Sequence, residues 1–393
     1  MNQAQSVPHV SIILTSFNHA KFLREAIESV LHQTYTDFEL IIWDDCSTDE
    51  SRSIIESYTD QRIRFFSNQF NKGPTYGVNE AIFKYCAGQY IAIHHSDDVW
   101  LPEKLATQVD FLETNLSIGA VFSAAEAIDE RGKPLLNSQH FYNSIFSQPN
   151  RTRHDWLRYF LLSGNALCHP SLLIRKQCYE KVGTYRGDLF QLPDFEMWVR
   201  LCSYFDIHVI EEPLLRFRVL DGERNTSGDR PDTRSRAMFE RMRIMETFES
   251  HLALTDLRKM FPEITRLNEI PTNDVGLGLA AIVLDTHPFP SAQLYALNKI
   301  ASYLQNDVNA LTKTDTEAAD WPKLQDLYKI TGLTDVFGLK LQEQIATKLA
   351  DTLRLQSQVT ALEDAIHTIK QSNIWKMTAP LRAVSDLLRR TKT

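Results

Sequence analysis

The chain has 393 residues, 43% of them apolar and 23% charged, with a formal net charge of −8. This is the composition of a soluble globular protein too long for one ordinary core, so two or three domains are expected. The acidic balance excludes nucleic acid as the main partner, and five scattered cysteines without a CxxC pair suggest neither a disulfide framework nor a zinc site.

Val10–Thr15, VSIILT, reads as a first buried strand, followed by the polar turn Ser16–His19. Ala20–His32 has helical spacing, with Phe22, Ala26, Ile27, Val30 and Leu31 on one side. Phe38–Trp43, FELIIW, is a second strand that runs into Asp44-Asp45-Cys46-Ser47-Thr48-Asp49. Ser47 with Glu50 fits a capping box for a helix through Tyr58. Ile63–Phe66 is a short third strand, and the loop Asn68–Gly77 carries two glycines and a proline before a helix over Val78–Cys86. Tyr90–Trp100, YIAIHHSDDVW, then passes from a β-branched apolar run into a turn bearing Asp97 and Asp98. Strand and helix alternating at this pace predict a doubly wound, mostly parallel α/β sheet. Ligands in such sheets sit just beyond the carboxyl ends of the strands, where the pairs Asp44-Asp45 and Asp97-Asp98 fall.

Adjacent carboxylates on one turn are costly unless a cation neutralises them. A hard divalent ion shared with substrate phosphates is one answer. Capping of the helix Pro102–Asn115 is the other. Neither GxGxxG nor GxxxxGK[ST] is present, so phosphate charge would be met by metal, helix N-termini and side chains.

Farther along, Gly119–Ala127, Ser171–Ile174 and His208–Ile210 read as strands, and Asp129–Gly132 as a turn. Residues 137–153 read as a loop that orders over a ligand. Asp194–Tyr204, DFEMWVRLCSY, reads as a helix starting at an acid. Arg236–Leu254 and Val275–Leu304 look helical with no strand between them, which divides the chain into residues 1–233, a helical domain 234–337 and a tail 338–393. In that tail Leu355, Val359, Leu362, Ile366 and Ile369 are spaced as a coiled-coil seam, serving either an oligomer or an intramolecular helix. Ile374–Thr393 is a basic amphipathic helix with Trp375, suited to an anionic membrane face or to docking on its own protein. The start MNQAQSVPHV has no secretory pattern and no run is long enough to span a bilayer. The expectation is a cytoplasmic protein with reduced, buried thiols, peripheral on the inner face of the plasma membrane if the tail binds it.

The opening VSIILTSFNHAKFLREAIESVLHQTYTDFELIIWDDCSTDES, with NKGPTYGVNEAI, YIAIHHSDDVWLPEKL and LPDFEMWVRL in that order, resembles family 2 glycosyltransferases of GT-A fold. The resemblance covers about Val10 to Ser227. It implies inverting transfer of a sugar from a nucleotide-diphosphate donor to a hydroxyl of a glycan or lipid-linked acceptor, in bacterial surface polysaccharide (O-antigen) synthesis. Carried over by position, Thr15 and Asp44 contact the nucleotide base, with Asp45 beside them, and Asn79 matches an asparagine usual after the glycine loop. The family's Asp-x-Asp-Asp turn is here His95-Ser96-Asp97-Asp98. Asp97 matches the position that contacts Mg²⁺ or Mn²⁺, His95 stands where an acid usually meets the ribose, and Asp98 caps the helix or supports the turn. Asp194 matches the general base of the Asp-x-(Asp/Glu)-x-Trp pattern, followed by Glu196 and Trp198. Asn165 and His169, with Glu196, are candidates for the acceptor side. His94 is expected inside its strand and Trp198 in the core. A histidine common in relatives after Arg216 is replaced by Leu220 and Asp221. The ending SNIWKMTAPLR also resembles tails of bacterial polysaccharide glycosyltransferases. The changes at His95 and Leu220 leave a second reading, a non-catalytic scaffold subunit of a polysaccharide assembly complex. A nucleotidyltransferase would need a Gly-rich basic loop after the first strand, and TSFNHAKF is not one.

Overall fold

The computed structural model describes residues 7–135, 141–268, 270, 274–286 and 288–306, and in the tail only 355, 358–360 and 362. Of the expected coiled-coil seam Leu355, Val359 and Leu362 are described, whereas Ile366, Ile369 and all of the basic segment Ile374–Thr393 lie outside the described residues. One compact unit spans Met1–Leu327 and a second spans Tyr328–Thr393.

The first unit opens with β1 (Val10–Ser16), α1 (Ala20–Leu31), β2 (Phe38–Asp44), α2 (Ser51–Glu56), β3 (Ile63–Ser67), α3 (Tyr76–Lys84) and β4 (Tyr90–His95). β1 and β2 are apolar at successive positions because both faces are covered. Ile12, Ile13 and Leu14, and beside them Leu40, Ile41 and Ile42, are fully buried, as parallel strands between helix layers require. α1 lays Phe22, Leu23, Ala26, Ile27 and Val30 on that layer. The chain continues through β5 (Val99–Trp100), α4 (Lys104–Thr114), β6 (Ile118–Ile128), α5 (Phe141–Ile145), α6 (Arg153–Ser163), β7 (Leu173–Arg175), α7 (Lys176–Val182), α8 (Pro193–Tyr204) and β8 (Asp206–Arg218).

The eight strands form one sheet in the order β3-β2-β1-β4-β7-β6-β8-β5. β1 pairs in parallel with β2 and β4, β2 with β3, and β6 with β8. β7 runs antiparallel to both β4 and β6, and β5 to β8. Chain order reverses between β1 and β4, so the crevice for a ligand opens at their carboxyl ends.

Three expectations are corrected. The capping box Ser47–Glu50 does not form: α2 begins at Ser51 with no side-chain cap, because Ser47 bonds back to Asp44 instead. The stretch 137–153 is not loop throughout, since α5 lies within it and Thr152 caps α6 by accepting from Asp155 N–H. β8 is far longer than His208–Ile210. Its pairing with β6 jumps from Ser123↔Ile210 to Ala124↔Pro213, so Glu211 and Glu212 form a bulge that accommodates Pro213 and hides the strand from a period-two search.

Beyond β8, α9 (Pro231–His251), α10 (Leu254–Met260), α11 (Val275–Thr286) and α12 (Pro290–Asn306) belong to the same compact unit as the sheet. α11, VGLGLAAIVLDT, buries Gly276 through Leu284 without a break. Among the described residues no helix is long and apolar enough to cross a membrane. All five cysteines are free.

Candidate functional site

The ends of β2, β1 and β4 bring the first group together. Ser16 is paired with Asp44 across β1 and β2, and Thr15 lies between Trp43 and His95. Asp44 is 2% exposed; Ser47 N–H donates to its Oδ2 at 2.9 Å and Ser47 Oγ donates to Oδ1. The chain turns sharply after both strands. Asn18 (φ 54) and Cys46 (φ 65) are the non-glycine residues in the left-handed region among those described, a conformation that surrounding contacts must hold in place. They do so here: Asn18 N–H donates to Ser47 Oγ at 2.9 Å and Asn18 Oδ1 accepts from Thr48 N–H at 2.8 Å.

The turn after β4 carries the second group. One ligand atom each of His95, Asp97 and Asp98 lie within 4.8 Å of one another. Asp98 Oδ1 accepts from Arg218 N–H at 2.8 Å, whereas its Oδ2 is enclosed without a hydrogen-bond partner and lies 3.6 Å from His95 Nδ1. Burial, then the Asp97 charge, pushes the Asp98 carboxyl up to about 6 against the pull of His95. Burial pulls His95 down, but Asp98, Asp97 and Asp194 outweigh it, so its pKa is raised. An enclosed carboxylate oxygen with no donor, beside a second carboxylate and an imidazole, is a donor set that fits a hard divalent cation.

Behind this turn stands Arg218, 1% exposed. Its Nε donates to Asp97 O at 2.7 Å, Nη1 to Asp129 O at 3.1 Å and Nη2 to Glu25 Oε2 at 2.6 Å. The fork therefore ties the carboxylate turn to α1 and to the turn after β6. Strand alternation groups Arg218 with the exposed Arg216, and only these tertiary covers bury it.

The third group comes from α8. Asp194 lies in its first turn, and Asn165 Nδ2 donates to Asp194 Oδ2 at 2.9 Å. Burial pushes the Asp194 carboxyl up to about 6, overriding the Phe195 N–H, the His95 charge and Asn165. Asp194 and His95 are thus near enough to bias each other's charge. His169 joins them edge-on to His95 at 5.1 Å between ring centroids, with Nε2 2.9 Å from Tyr185 Oη. Burial and the His95 charge hold His169 well below the usual histidine range, so it is neutral.

Three expected site residues point elsewhere. Asp45 accepts from Asn68 Nδ2 at 2.6 Å, Lys72 N–H at 2.8 Å and Gly73 N–H at 2.9 Å, so it latches the glycine loop. Asn79 has both amide atoms on the Tyr185 backbone, donating to O at 2.7 Å and accepting from N–H at 3.0 Å. Glu196 is two residues beyond Asp194, on the opposite side of α8. It takes three hydrogen bonds from Arg200 at 2.7–3.0 Å and one from Thr247 Oγ1 at 3.0 Å. His94 and Trp198 are both fully buried.

Tyr185 and Glu240 were not visible in the sequence. Glu240, on α9 and 4% exposed, accepts from Phe190 N–H at 2.8 Å, from Gln191 N–H at 2.9 and 3.0 Å and from Leu192 N–H at 2.7 Å. A buried carboxylate thus fixes the backbone that leads into Asp194, and no local pattern in α9 marks it.

A family model described as "Glycosyl transferase family 2" matches residues 11–176. An uncharacterized glycosyltransferase of Methanocaldococcus jannaschii is 30% identical over 217 residues, covering 54% of this chain and 71% of that protein. The Escherichia coli UDP-Glc:alpha-D-GlcNAc-diphosphoundecaprenol beta-1,3-glucosyltransferase WfgD is 34% identical over 139 residues, 35% of this chain and 54% of that protein. Residues 1–349 of S. aureus TarS in complex with UDP-GlcNAc align over 79% of this chain and 93% of that one, with 16% identity and a TM-score of 0.49. Matched by the family model through β1–β7, and at this identity to a relative most of whose length it spans, the chain belongs to glycosyl transferase family 2.

Proposed function

We propose that this glycosyltransferase inverts the anomeric centre while moving a sugar from a nucleotide-diphosphate donor to a hydroxyl of a glycan or lipid-linked acceptor, in bacterial surface polysaccharide synthesis. The observation that carries the reading is the half-buried Asp194 within electrostatic reach of His95, which ends β4 beside Thr15 and precedes Asp97. Thr15 and Asp44 hold the nucleotide base, and His95 lies on the ribose side. Asp97, with Asp98 and His95, would hold Mg²⁺ or Mn²⁺ against the donor diphosphate, where a divalent cation offsets charge on the leaving group. With Asn165 on Oδ2, Asp194 offers Oδ1 to the acceptor hydroxyl. The hydroxyl oxygen bonds to the anomeric carbon from the face opposite the diphosphate, the bond to the diphosphate oxygen breaks, the nucleoside diphosphate leaves, and the proton passes to Asp194. Neutral His169 and Asn165 border the acceptor. A lipid-linked acceptor is supported by the diphosphoundecaprenol acceptor in the name of WfgD. Residues 374–393 would bring the enzyme to an anionic membrane face, and the seam at Leu355–Ile369 would allow self-association.

The test is hydrolysis of nucleotide-diphosphate sugars by the full chain, with Mn²⁺ and with EDTA. Slow turnover of one donor that EDTA abolishes is expected. A scaffold subunit would show none with any donor, and that result would overturn the proposal.

Glu240 acts on this reaction only through the 190–192 backbone. Glu240→Ala is expected to lower kcat by up to about 10²-fold, as small misplacements of a reacting group do, with the donor KM unchanged. Steady-state kinetics on the folded variant check this split.

A further inference from the structure

α9 carries a cation that nothing among the described residues neutralises. Arg234 is paired with Asp229, Arg236 with Asp232, and Arg243 with Asp188 and Glu246. Arg241, half-buried on the same helix, has no hydrogen bond or ion pair among the described residues. Its Nε is enclosed without an acceptor. Its guanidinium lies over the Phe289 ring at 4.5 Å from the centroid, which fixes the plane and removes water from one side. Burial holds its pKa below the usual arginine value. A desolvated charge without a counterion is costly, and a rigid guanidinium fork is the side chain best matched to phosphate oxygens.

Its place says which phosphate. A Cβ added to Gly164 would lie 3.9 Å from Arg241 Nη2. Gly164 has φ +90 and immediately precedes Asn165, the residue that holds Asp194 Oδ2 at 2.9 Å. Arg241 therefore adjoins the segment that positions the proposed base, whereas the donor diphosphate has its own carboxylate turn after β4. We propose that Arg241 binds a phosphate group of the acceptor, carried across the sugar ring from the hydroxyl that faces Asp194. This rests on the glycosyl-transfer reading and narrows the acceptor to a sugar phosphate or diphosphate, either free or lipid-linked.

The experiment is calorimetric titration of inorganic diphosphate into the full chain in EDTA, which leaves the donor turn without a cation. Wild type and Asp97→Asn are expected to bind alike, and Arg241→Gln at least about tenfold more weakly, the loss typical of one charge-assisted contact. Arg241→Lys, which keeps the charge but not the fork, should fall between them. Circular dichroism melts verify folding, and should Arg241→Gln not fold, Arg241→Lys serves as the comparison. Equal binding by the folded Arg241 variant and wild type, or no binding by wild type, overturns the site. Repeating the titration with farnesyl diphosphate and with glucose 1-phosphate separates the sources: tighter binding of the former marks a lipid-linked acceptor, tighter binding of the latter a free sugar phosphate. The readout is equilibrium binding, so a failure of donor hydrolysis in wild type would sink the transfer reading without altering this result.

Discussion

Asp194→Asn is expected to lower kcat by about 10²–10⁴-fold, the range that a positioned general base supplies. The amide keeps the size of the carboxylate and a carbonyl oxygen that can face Asn165 Nδ2, so donor affinity and folding should be nearly unchanged. The pH profile makes the test sharper. Burial pushes Asp194 up to about 6, and a base works only when deprotonated. The wild-type rate should therefore be constant at neutral pH and fall through pH 6 as the pH is lowered. Asp98 would hold the divalent cation, whose charge keeps a ligating carboxylate ionised, so the acid limb of the metal-loaded enzyme belongs to Asp194. The residual rate of Asp194→Asn should therefore lose that acid limb. Turnover close to wild type in Asp194→Asn would remove the base assignment.

The second large effect is expected at a residue that touches no substrate. Arg218 joins the Asp97 carbonyl, the Asp129 carbonyl and Glu25, so Arg218→Met would leave two carbonyls without their donor and release Glu25. Leaving a buried acceptor unpaired costs about 1–3 kcal/mol, read as a fall in the chemical denaturation midpoint. Arg218→Lys retains the charge but cannot span the three acceptors. It is expected to fold and to bind Mn²⁺ about 10–100-fold more weakly, the usual effect of disturbing a group that orients metal ligands. Titration of Mn²⁺ followed by electron paramagnetic resonance measures this directly. Unchanged Mn²⁺ affinity in folded Arg218→Lys would show that the turn holds its shape without the fork.

The chain and the fold agree best where burial is total. β1, β2 and β4 are legible because a strand covered on both faces is apolar over most of its length, with Ser11 and Glu39 buried against each other, and because acids gather where the strands end. The turns bearing Asp44, Asp97 and Asp98 are legible for the same reason. A mostly parallel sheet follows from that rhythm, and its GT-A type from the resemblance to family 2 glycosyltransferases. Pro213 and the two glutamates before it hide most of β8, because a bulge breaks the period on which recognition of a strand depends.

What the sequence by itself determined was the order of the strands' apolar runs and the acids at their ends. Tertiary structure decided what each acid meets. Asp45 carries the same charge as Asp44 yet latches the glycine loop, and Glu196, on the same helix as Asp194, is met by Thr247 across 51 residues as well as by its helical neighbour Arg200. The reason is the range of the contacts. Arg218 meets Asp97 across 121 residues and Asn79 meets Tyr185 across 106, so their roles exist only once the chain has closed on itself. Local periodicity reports which face of an element is buried, and carries no information about which distant donor will meet it there.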